Sequence, residues 1–179
     1  MSRVVALLRG VNVGGKSLSM SDLREAAGDL GYGPVATYIQ SGNVIVDAGG
    51  DDPATVAAAL AGAIESALGV RVPVIARSRE QLEAIVAANP YPEAAAADPR
   101  FVLVGFLGGE PDRDGIPALA GRATEREDLT VAGNEVYLSC PDGFGRSKLG
   151  NDAVERALGV TSTIRNWRTV LKLLELATT

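Results

Sequence analysis

The order of predicted strands and helices in residues 1–77 narrows the possible folds more than any other feature of this sequence. Val4–Leu8 is a short apolar run typical of a buried strand. Val35–Ile39 and Asn43–Val46 are β-branched runs, and the Gln40-Ser41-Gly42 segment between them supplies the glycine that a tight hairpin turn needs. Val72–Ala76 predicts a fourth strand.

Two predicted helices connect these strands. Ser21 is a candidate N-cap for the first helix, which Gly31 ends. Asp52-Pro53 is a cap followed by proline at the first helical position, and Gly69 closes that second helix. The resulting β-α-β-β-α-β order is the ferredoxin-like pattern, with sheet order 4-1-3-2 and strand 3 antiparallel to strands 1 and 2. The apolar face of the first helix consists of Leu23, Ala26, Ala27 and Leu30.

The remaining residues predict a second half that mixes helices and strands. Ser78-Arg79-Glu80-Gln81 is a capping-box sequence that opens a helix, and Pro90 ends that helix. Residues 89–100 are predicted to be a connector, and residues 110–121 are ambiguous, with a short helix as one interpretation. Phe101–Leu107 predicts a strong strand.

The last part of the chain predicts a hairpin and two helices. Glu127–Val131 and Glu135–Ser139 form the hairpin around Gly133-Asn134. Ser147 is the predicted cap of a helix through Leu158. We therefore expect an α+β protein, with a ferredoxin-like (α/β-plait) half in residues 1–77 and a second α+β half, interpreted as a degraded copy of the first, in residues 78–179. The expected sheets are antiparallel, with helices packed on one face. The last helix is predicted from about Thr163 to Ala177, with the apolar face Trp167, Val170, Leu171 and Leu174.

Composition excludes several kinds of chemistry. The 179 residues carry a net charge of −5, no histidine and one cysteine, Cys140. A chain without histidine has no His-based triad or His–metal site, and one cysteine makes neither an internal disulfide nor a Cys-cluster metal site. We predict no metal and no cofactor. No apolar run reaches the ~18 residues of a membrane span, and the start shows no signal-peptide pattern, so we expect a cytoplasmic protein.

The first candidate site is the glycine-rich loop after the first strand, Arg9–Ser17. Its residues Gly10-x4-Gly15-Lys16-Ser17 satisfy the Walker A pattern. A P-loop lysine and serine open a helix directly, whereas Leu18-Ser19-Met20 intervene here before the best helix signal. A second interpretation is a backbone nest for an anion, formed by glycines that include Gly14 and Gly15 together with Arg9 and Lys16. A solvated surface loop is a third interpretation.

The second candidate site is the hairpin turn with Gln40, Ser41 and Asn43. In the ferredoxin-like order, the ends of strands 1 and 2 and the start of strand 3 share one sheet edge. Arg9 and Asn12 are therefore expected to approach this turn and to form a binding site of one cation and several amides. The alternative is a plain hairpin turn.

Two further candidates place cations at predicted helix starts. Arg146 and Lys148 flank Ser147, where exposed N–H groups and the helix dipole favour an anion. Arg165 and Asn166 fall in the first turn of the last predicted helix. A cation there opposes the dipole, which suggests a carboxylate or ligand partner for Arg165. Cys140 is interpreted as a strand-end residue without chemistry.

Five segments along the chain carry a family resemblance: residues 7–16, residues 37–44, Asn89-Pro90-Tyr91, Arg146-Ser147-Lys148-Leu149 and residues 163–170. Together, and in this order, they resemble the domain of unknown function 1697 family of bacterial proteins. The resemblance implies two ferredoxin-like halves and brings no established activity. Family members commonly have Asn where this chain has Ser17, which weakens the Walker A interpretation. The resemblance marks as positions of interest Arg9, Asn12, Gln40, Ser41, Asn43, Lys148, Arg165 and Asn166.

The leading hypothesis is that the chain binds a small anionic, phosphate-bearing ligand in a cleft lined by the glycine-rich basic loops. Nucleic-acid binding is a second hypothesis, against which stand the net charge and the absence of aromatic residues in Val4–Leu8 and Asn43–Asp47. A P-loop-like nucleotide hydrolase is a third hypothesis, and a structural or protein-interaction module is a fourth. The residues decide neither whether the chain is an enzyme nor its oligomeric state.

Overall fold

The computed structural model describes residues 2–11, 17–40 and 42–179. The strands are β1 (Arg3–Leu8), β2 (Ala36–Tyr38), β3 (Asn43–Asp47), β4 (Val74–Ser78), β5 (Val102–Leu107), β6 (Asp128–Ala132), β7 (Glu135–Ser139) and β8 (Ser162–Asn166). The helices are α1 (Met20–Asp29), α2 (Pro53–Leu68), α3 (Arg79–Ala87), α4 (Pro92–Ala97), α5 (Ile116–Ala120), α6 (Asn151–Leu158) and α7 (Trp167–Thr178).

The strands form two four-stranded antiparallel sheets with the same topology. The first sheet has the order β2-β3-β1-β4 and the second has the order β6-β7-β5-β8. The predicted fold class is confirmed, as is the predicted antiparallel pairing of β1 with β3. The chain divides into two compact units, Met1–Ala84 with Lys172–Thr179, and Ile85–Leu171. The division at residues 77 and 78 stays a prediction from sequence.

One face of each sheet packs under the helices of its own unit, and the residues on the opposite face of the central strands, such as Val5 and Val104, are also fully buried. In the first unit, Val4, Ala6 and Leu8 of β1 pack with Leu23 of α1 and Leu60 of α2 in one apolar core. In the second unit, the corresponding core contains residues of β5, β7 and α6, with Leu119 of α5. The alternation of side chains along a strand explains why every second residue of β1 and β5 enters these cores.

Helix caps account for several boundaries. Asp52 accepts a hydrogen bond from Thr55 N at 2.9 Å, which confirms the predicted start of α2. Ser78 and Gln81 exchange the two hydrogen bonds of the predicted capping box, at 2.9 and 3.2 Å. The cap of α1 is Ser19, not Ser21, because the Ser19 hydroxyl accepts from Asp22 N at 3.0 Å.

Three predictions for the second half are wrong in detail. The 89–100 connector contains α4, whose start Pro92 suits a first helical turn. The helix through Leu158 starts at Asn151, after Gly150. The last helix starts at Trp167 and buries Leu173, whereas Leu171 is 42% exposed.

No helix in the described part of the chain is long and apolar enough to cross a membrane.

Candidate functional site

The first candidate site lies where β1 ends beside the β2–β3 turn. Leu7 pairs with Asn43, and Leu8 N donates to Gly42 O at 2.8 Å. Arg9 N donates to Pro73 O at 2.9 Å. Backbone pairing thus brings Arg9 beside the turn, as the strand order predicted. We call the described residues 9–11 and 39–43, without Ser41, the first-sheet edge.

Gly42 fixes how closely the two segments of this edge approach. Its φ is +75°, and a Cβ there would lie 2.5 Å from Val11 Cγ2 and 2.8 Å from Leu8 Cβ. Both distances are shorter than nonbonded carbon atoms allow. Glycine is therefore required for the turn to lie against the residues that follow β1.

The polar side chains of the edge differ in exposure. Asn43 is fully buried, and its Nδ2 donates to Tyr38 O at 3.0 Å, which ties together the two strands at the turn. Arg9 is half-buried and Gln40 is exposed. Asn43 therefore supports the turn, while Gln40 and Arg9 offer surface to solvent.

Ile39 adds strain and an apolar side chain to the same turn. It has a φ of 48° and is 49% exposed. A β-branched residue in this region is a genuine outlier, at a cost of about 1–3 kcal/mol. Sequence reasoning placed Ile39 at the end of a strand and missed it as a site residue. Its position directly before the polar turn segment is the only signal that the sequence offers.

Five predicted site residues, Asn12, Gly14, Gly15, Lys16 and Ser41, lie outside the described residues. Most of the Walker A-like stretch lies there too. The described sequence after it runs through Leu18 to the Ser19 cap of α1.

Arg146 and Lys148 are exposed side chains in the second unit. Residues Phe144–Arg146 form a short 3-10 turn, and Ser147 Oγ accepts from Leu149 N at 3.1 Å. The hydroxyl is therefore used in a local turn four residues before α6 begins. The prediction that these cations flank a helix N-terminus is wrong.

Arg165 lies in β8 and not in a helix. It pairs with Val104 of β5 and is 8% exposed. Its Nη1 donates to Thr163 Oγ1 at 2.7 Å and to Ile164 O at 3.0 Å. Burial lowers the pKa of Arg165 to about 10, so the guanidinium is still protonated at neutral pH. The β-branched residues Thr163 and Ile164 favour the strand that the helix prediction overlooked.

Asn166 is the cap of α7, three residues after the start predicted near Thr163. Its Oδ1 accepts from Thr169 N at 2.9 Å, which satisfies one N–H of the first turn of α7. The apolar run from Trp167 onward marked the helix, but the cap-competent residues in front of it obscured its start.

The strand ends before α3 and α7 are equivalent in the two sheets. Val5 pairs with Arg77 in the first sheet and Val104 pairs with Arg165 in the second. Arg77 Nη1 donates to Ala76 O at 2.9 Å, the same preceding-residue contact that Arg165 makes. This equivalence gives Arg165 a structural role in addition to any role in binding.

The sole cysteine and the carboxylates offer no further centre in the described structure. Cys140 is fully buried, and burial raises the pKa of its thiol to about 11, which keeps it protonated and unreactive. Within residues 2–11, 17–40 and 42–179, no group of acidic and cysteine side chains is arranged to hold a metal ion.

Comparisons with known proteins agree with this architecture. The structure is similar to that of the conserved bacterial protein SP0830 from Streptococcus pneumoniae, with a TM-score of 0.71, 24% identity and 98% coverage of both chains. At that identity the likeness shows the fold alone. No curated protein matches the sequence. A family model described as protein of unknown function (DUF1697) matches residues 1–137, well over half of the chain. This chain therefore belongs to the DUF1697 family.

Proposed function

We propose that this chain binds a small anionic, phosphate-bearing ligand at the first-sheet edge. The observation that carries the proposal is the pairing of Leu8 N with Gly42 O at 2.8 Å, which joins the segment that holds Arg9 to the segment that holds Gln40. A cation and an amide at one sheet edge can neutralise and orient one anionic group.

The residues of the edge have distinct roles in binding. Arg9 supplies charge and Gln40 supplies an orienting amide, while Asn43 holds the turn in shape. Lys16 and Asn12 belong to the proposed site from their sequence positions in the loop after β1. Arg146 and Lys148 remain predictions of the same kind for the second unit.

The proposed setting of the protein is the cytoplasm, and we assign it no cofactor and no metal. The proposed ligand is a free small molecule.

Thermal unfolding tests the proposal most economically. The panel contains pyrophosphate, AMP, ATP with and without Mg²⁺, a sugar phosphate and a short oligonucleotide. A ligand at ~100 times its Kd stabilises by about 2.7 kcal/mol, which raises Tm by roughly 5–10 °C for a chain of this size. We expect that rise with at least one phosphate compound.

Two variants with the same charge change make the test specific. Arg9→Ala removes the cation at the site and should abolish the rise. Arg3→Ala removes a cation from the opposite end of β1, about 20 Å away at ~3.3 Å per residue, and should preserve it. A flat response to every compound, or an equal response in both variants, contradicts the proposal. Mg²⁺-dependent ATP turnover or salt-sensitive oligonucleotide binding would instead favour the hydrolase or the nucleic-acid hypothesis.

A further inference from the structure

The Ile85–Leu171 unit contains a groove of about 520 Å³ that is bounded by the end of α3, by α4 and by the start of α7. Small-molecule sites have volumes of about 300–1,000 Å³. Its principal lining residues are Val86, Pro92, Ala96, Pro99, Trp167 and Leu171.

The lining of the groove is mostly apolar and partly open to solvent, and its polar member, Asn89, accepts a hydrogen bond from Tyr91 N at 2.9 Å. Leu171 is 42% exposed, while Trp167 beside it on the same helix is only 6% exposed. Ala96 of α4 is exposed and lines the groove together with Trp167 and Leu171. Exposed apolar surface of this kind gains free energy when an apolar group covers it.

The rim of the groove carries a cation. Arg168 follows Trp167, its side chain is exposed, and its backbone N–H donates to Pro99 O at 3.4 Å. It precedes Leu171 by three residues, so the two side chains are neighbours on the helix surface. Arg168 therefore stands beside both the apolar lining and solvent.

The carboxylate of Asp98, near Arg168, is already paired with Arg100. Asp98 forms an ion pair with Arg100 at 2.6 Å, and Arg100, with a smaller effect from Arg168, lowers the pKa of Asp98 to about 2. Among the described residues, no carboxylate lies within ion-pair distance of Arg168. These three groups together leave one net positive charge at the rim.

We propose that this groove binds a small amphiphilic carboxylate, with its apolar body over Trp167 and its carboxylate paired with Arg168. The mostly apolar lining and the guanidinium of Arg168 beside Leu171 match an apolar body and an anionic head. A second copy of the chain is the weaker fit. Stable interfaces bury about 1,200–2,000 Å² around an apolar centre. Among the described residues of this unit, Leu171 is the one large apolar side chain that is exposed.

The chain reports on this site without a label, because Trp167 is its only tryptophan. We would titrate the intact protein with decanoate below its critical micelle concentration and follow tryptophan fluorescence. The expected result is a saturable change. The neutral methyl ester of decanoate should bind at least about tenfold more weakly, a difference of 1.4 kcal/mol.

Three variants locate the binding. Arg168→Gln should weaken decanoate binding by about tenfold, to the level of the neutral ester. Ala96→Phe should fill the groove and abolish the saturable change. Arg156→Gln removes an exposed arginine from α6 of the same unit and should leave the affinity unchanged. Circular dichroism checks that each variant is folded, and Arg168→Gln keeps the test decisive if Ala96→Phe fails to fold.

Three results would overturn this inference. The first is the absence of any saturable change with decanoate. The second is equal affinity for decanoate and its methyl ester, with no effect of Arg168→Gln. The third is a fluorescence change that depends on protein concentration alone, which would identify a second copy as the occupant. Because none of these readouts involves Arg9 or Gln40, they are independent of the function proposed above.

Discussion

The ends of β1 and β5 share their backbone geometry and differ in the residues that follow. Leu8 N donates to Gly42 O at 2.8 Å, and the equivalent Leu107 N donates to Asn134 O at 3.0 Å. One residue later, Arg9 N donates to Pro73 O at 2.9 Å and Gly108 N donates to Thr161 O at 2.8 Å.

The residues that follow these matched positions differ in charge. Arg9 follows β1, and Lys16 comes further along the sequence. Gly108 follows β5, and Glu110, Asp112, Arg113 and Asp114 come after it. Arg113 lies at the second turn, where its Nη2 donates to Gly133 O at 3.4 Å. The repeated fold therefore supplies the same edge twice, with a cation directly after β1 at the first edge and an excess of carboxylates after β5 at the second.

The two hairpin turns show the same contrast in backbone strain. The residue directly after the strand has a positive φ in both turns, 48° at Ile39 and 57° at Gly133. Glycine adopts that conformation without strain, and isoleucine does not. Backbone strain is thus present in the β2–β3 turn and absent from the β6–β7 turn. This difference is expected if the first turn serves a function and the second only connects two strands.

The largest expected effect separates the close-packed turn from the open one. Gly42→Ala should lower the free energy of unfolding by about 3 kcal/mol, because it combines a steric clash with an unfavourable φ. Gly133→Ala meets only Glu135 Oε2 at 3.7 Å and should cost about 1 kcal/mol. Urea denaturation of both variants measures the difference. Equal losses of stability in the two variants would mean that the β2–β3 turn can accommodate a Cβ at position 42, which would contradict the close packing described for it.

The next largest expected effect is a loss of stability at high pH, caused by ionisation of a buried tyrosine in the second sheet. Burial, with a smaller contribution from Glu135, raises the pKa of Tyr137 to about 12 from 10.0. The folded state then keeps a proton that the unfolded state loses above pH 10, so stability is complete below pH 10 and falls as the pH rises to about 12.

The control for this pH effect removes the hydroxyl. Tyr137 donates to Ile85 O at 2.8 Å, and the equivalent position in the first sheet is Ile45. In Tyr137→Phe, the stability lost between pH 10 and 12 should be smaller than in the wild type by about 2 kcal/mol. Denaturation curves at several pH values test this, and identical pH profiles would show that Tyr137 is not the responsible group.

Smaller effects are expected at the two equivalent helix caps. Ser78→Ala and Asn166→Ala each remove a side-chain cap and should each cost about 1 kcal/mol of stability. Asn166 was predicted to bind a ligand, so its variant should also be titrated with the phosphate panel. A stability loss with unchanged ligand response would assign it to the cap alone.

These caps also show what the sequence could and could not predict. The strand order and the start of α2 followed from apolar runs and from Asp52-Pro53, whose signals are local. The start of α7 could not be predicted from local signals, because Ser162, Thr163 and Asn166 can all cap a helix. The pairing of β8 with β5 extends the strand to Asn166 and so places the start of α7 after it. This pairing joins residues about sixty positions apart in the chain, so the local sequence does not reveal it.

The candidate site was predictable to the same extent. The proximity of Arg9 to the turn that contains Gln40 and Asn43 could be predicted, because it depends on strand order alone. The burial of Asn43 and the strain at Ile39 depend on the packed turn and were not foreseen. Burial of Arg165 was missed with the strand that contains it.

The smallest expected effect is a gain. Ile39→Asn places a residue that tolerates positive φ at the strained position and should raise stability by somewhat less than about 1 kcal/mol. If Ile39 serves the proposed site, the same variant should reduce the thermal shift caused by phosphate compounds. A stability loss would contradict the assignment of strain, and urea denaturation at neutral pH decides the sign.

The most direct test of the central claim compares the two sheet edges in one experiment. Isotope-labelled protein would be titrated with pyrophosphate while the backbone amide signals are followed by two-dimensional NMR. Binding at the first-sheet edge predicts saturable shifts at Arg9, Gln40 and Gly42, with none at the matched Gly108 and Asn134. Shifts of similar size at both edges, or none at the first, would contradict the claim that the cationic edge of the first sheet is the binding site.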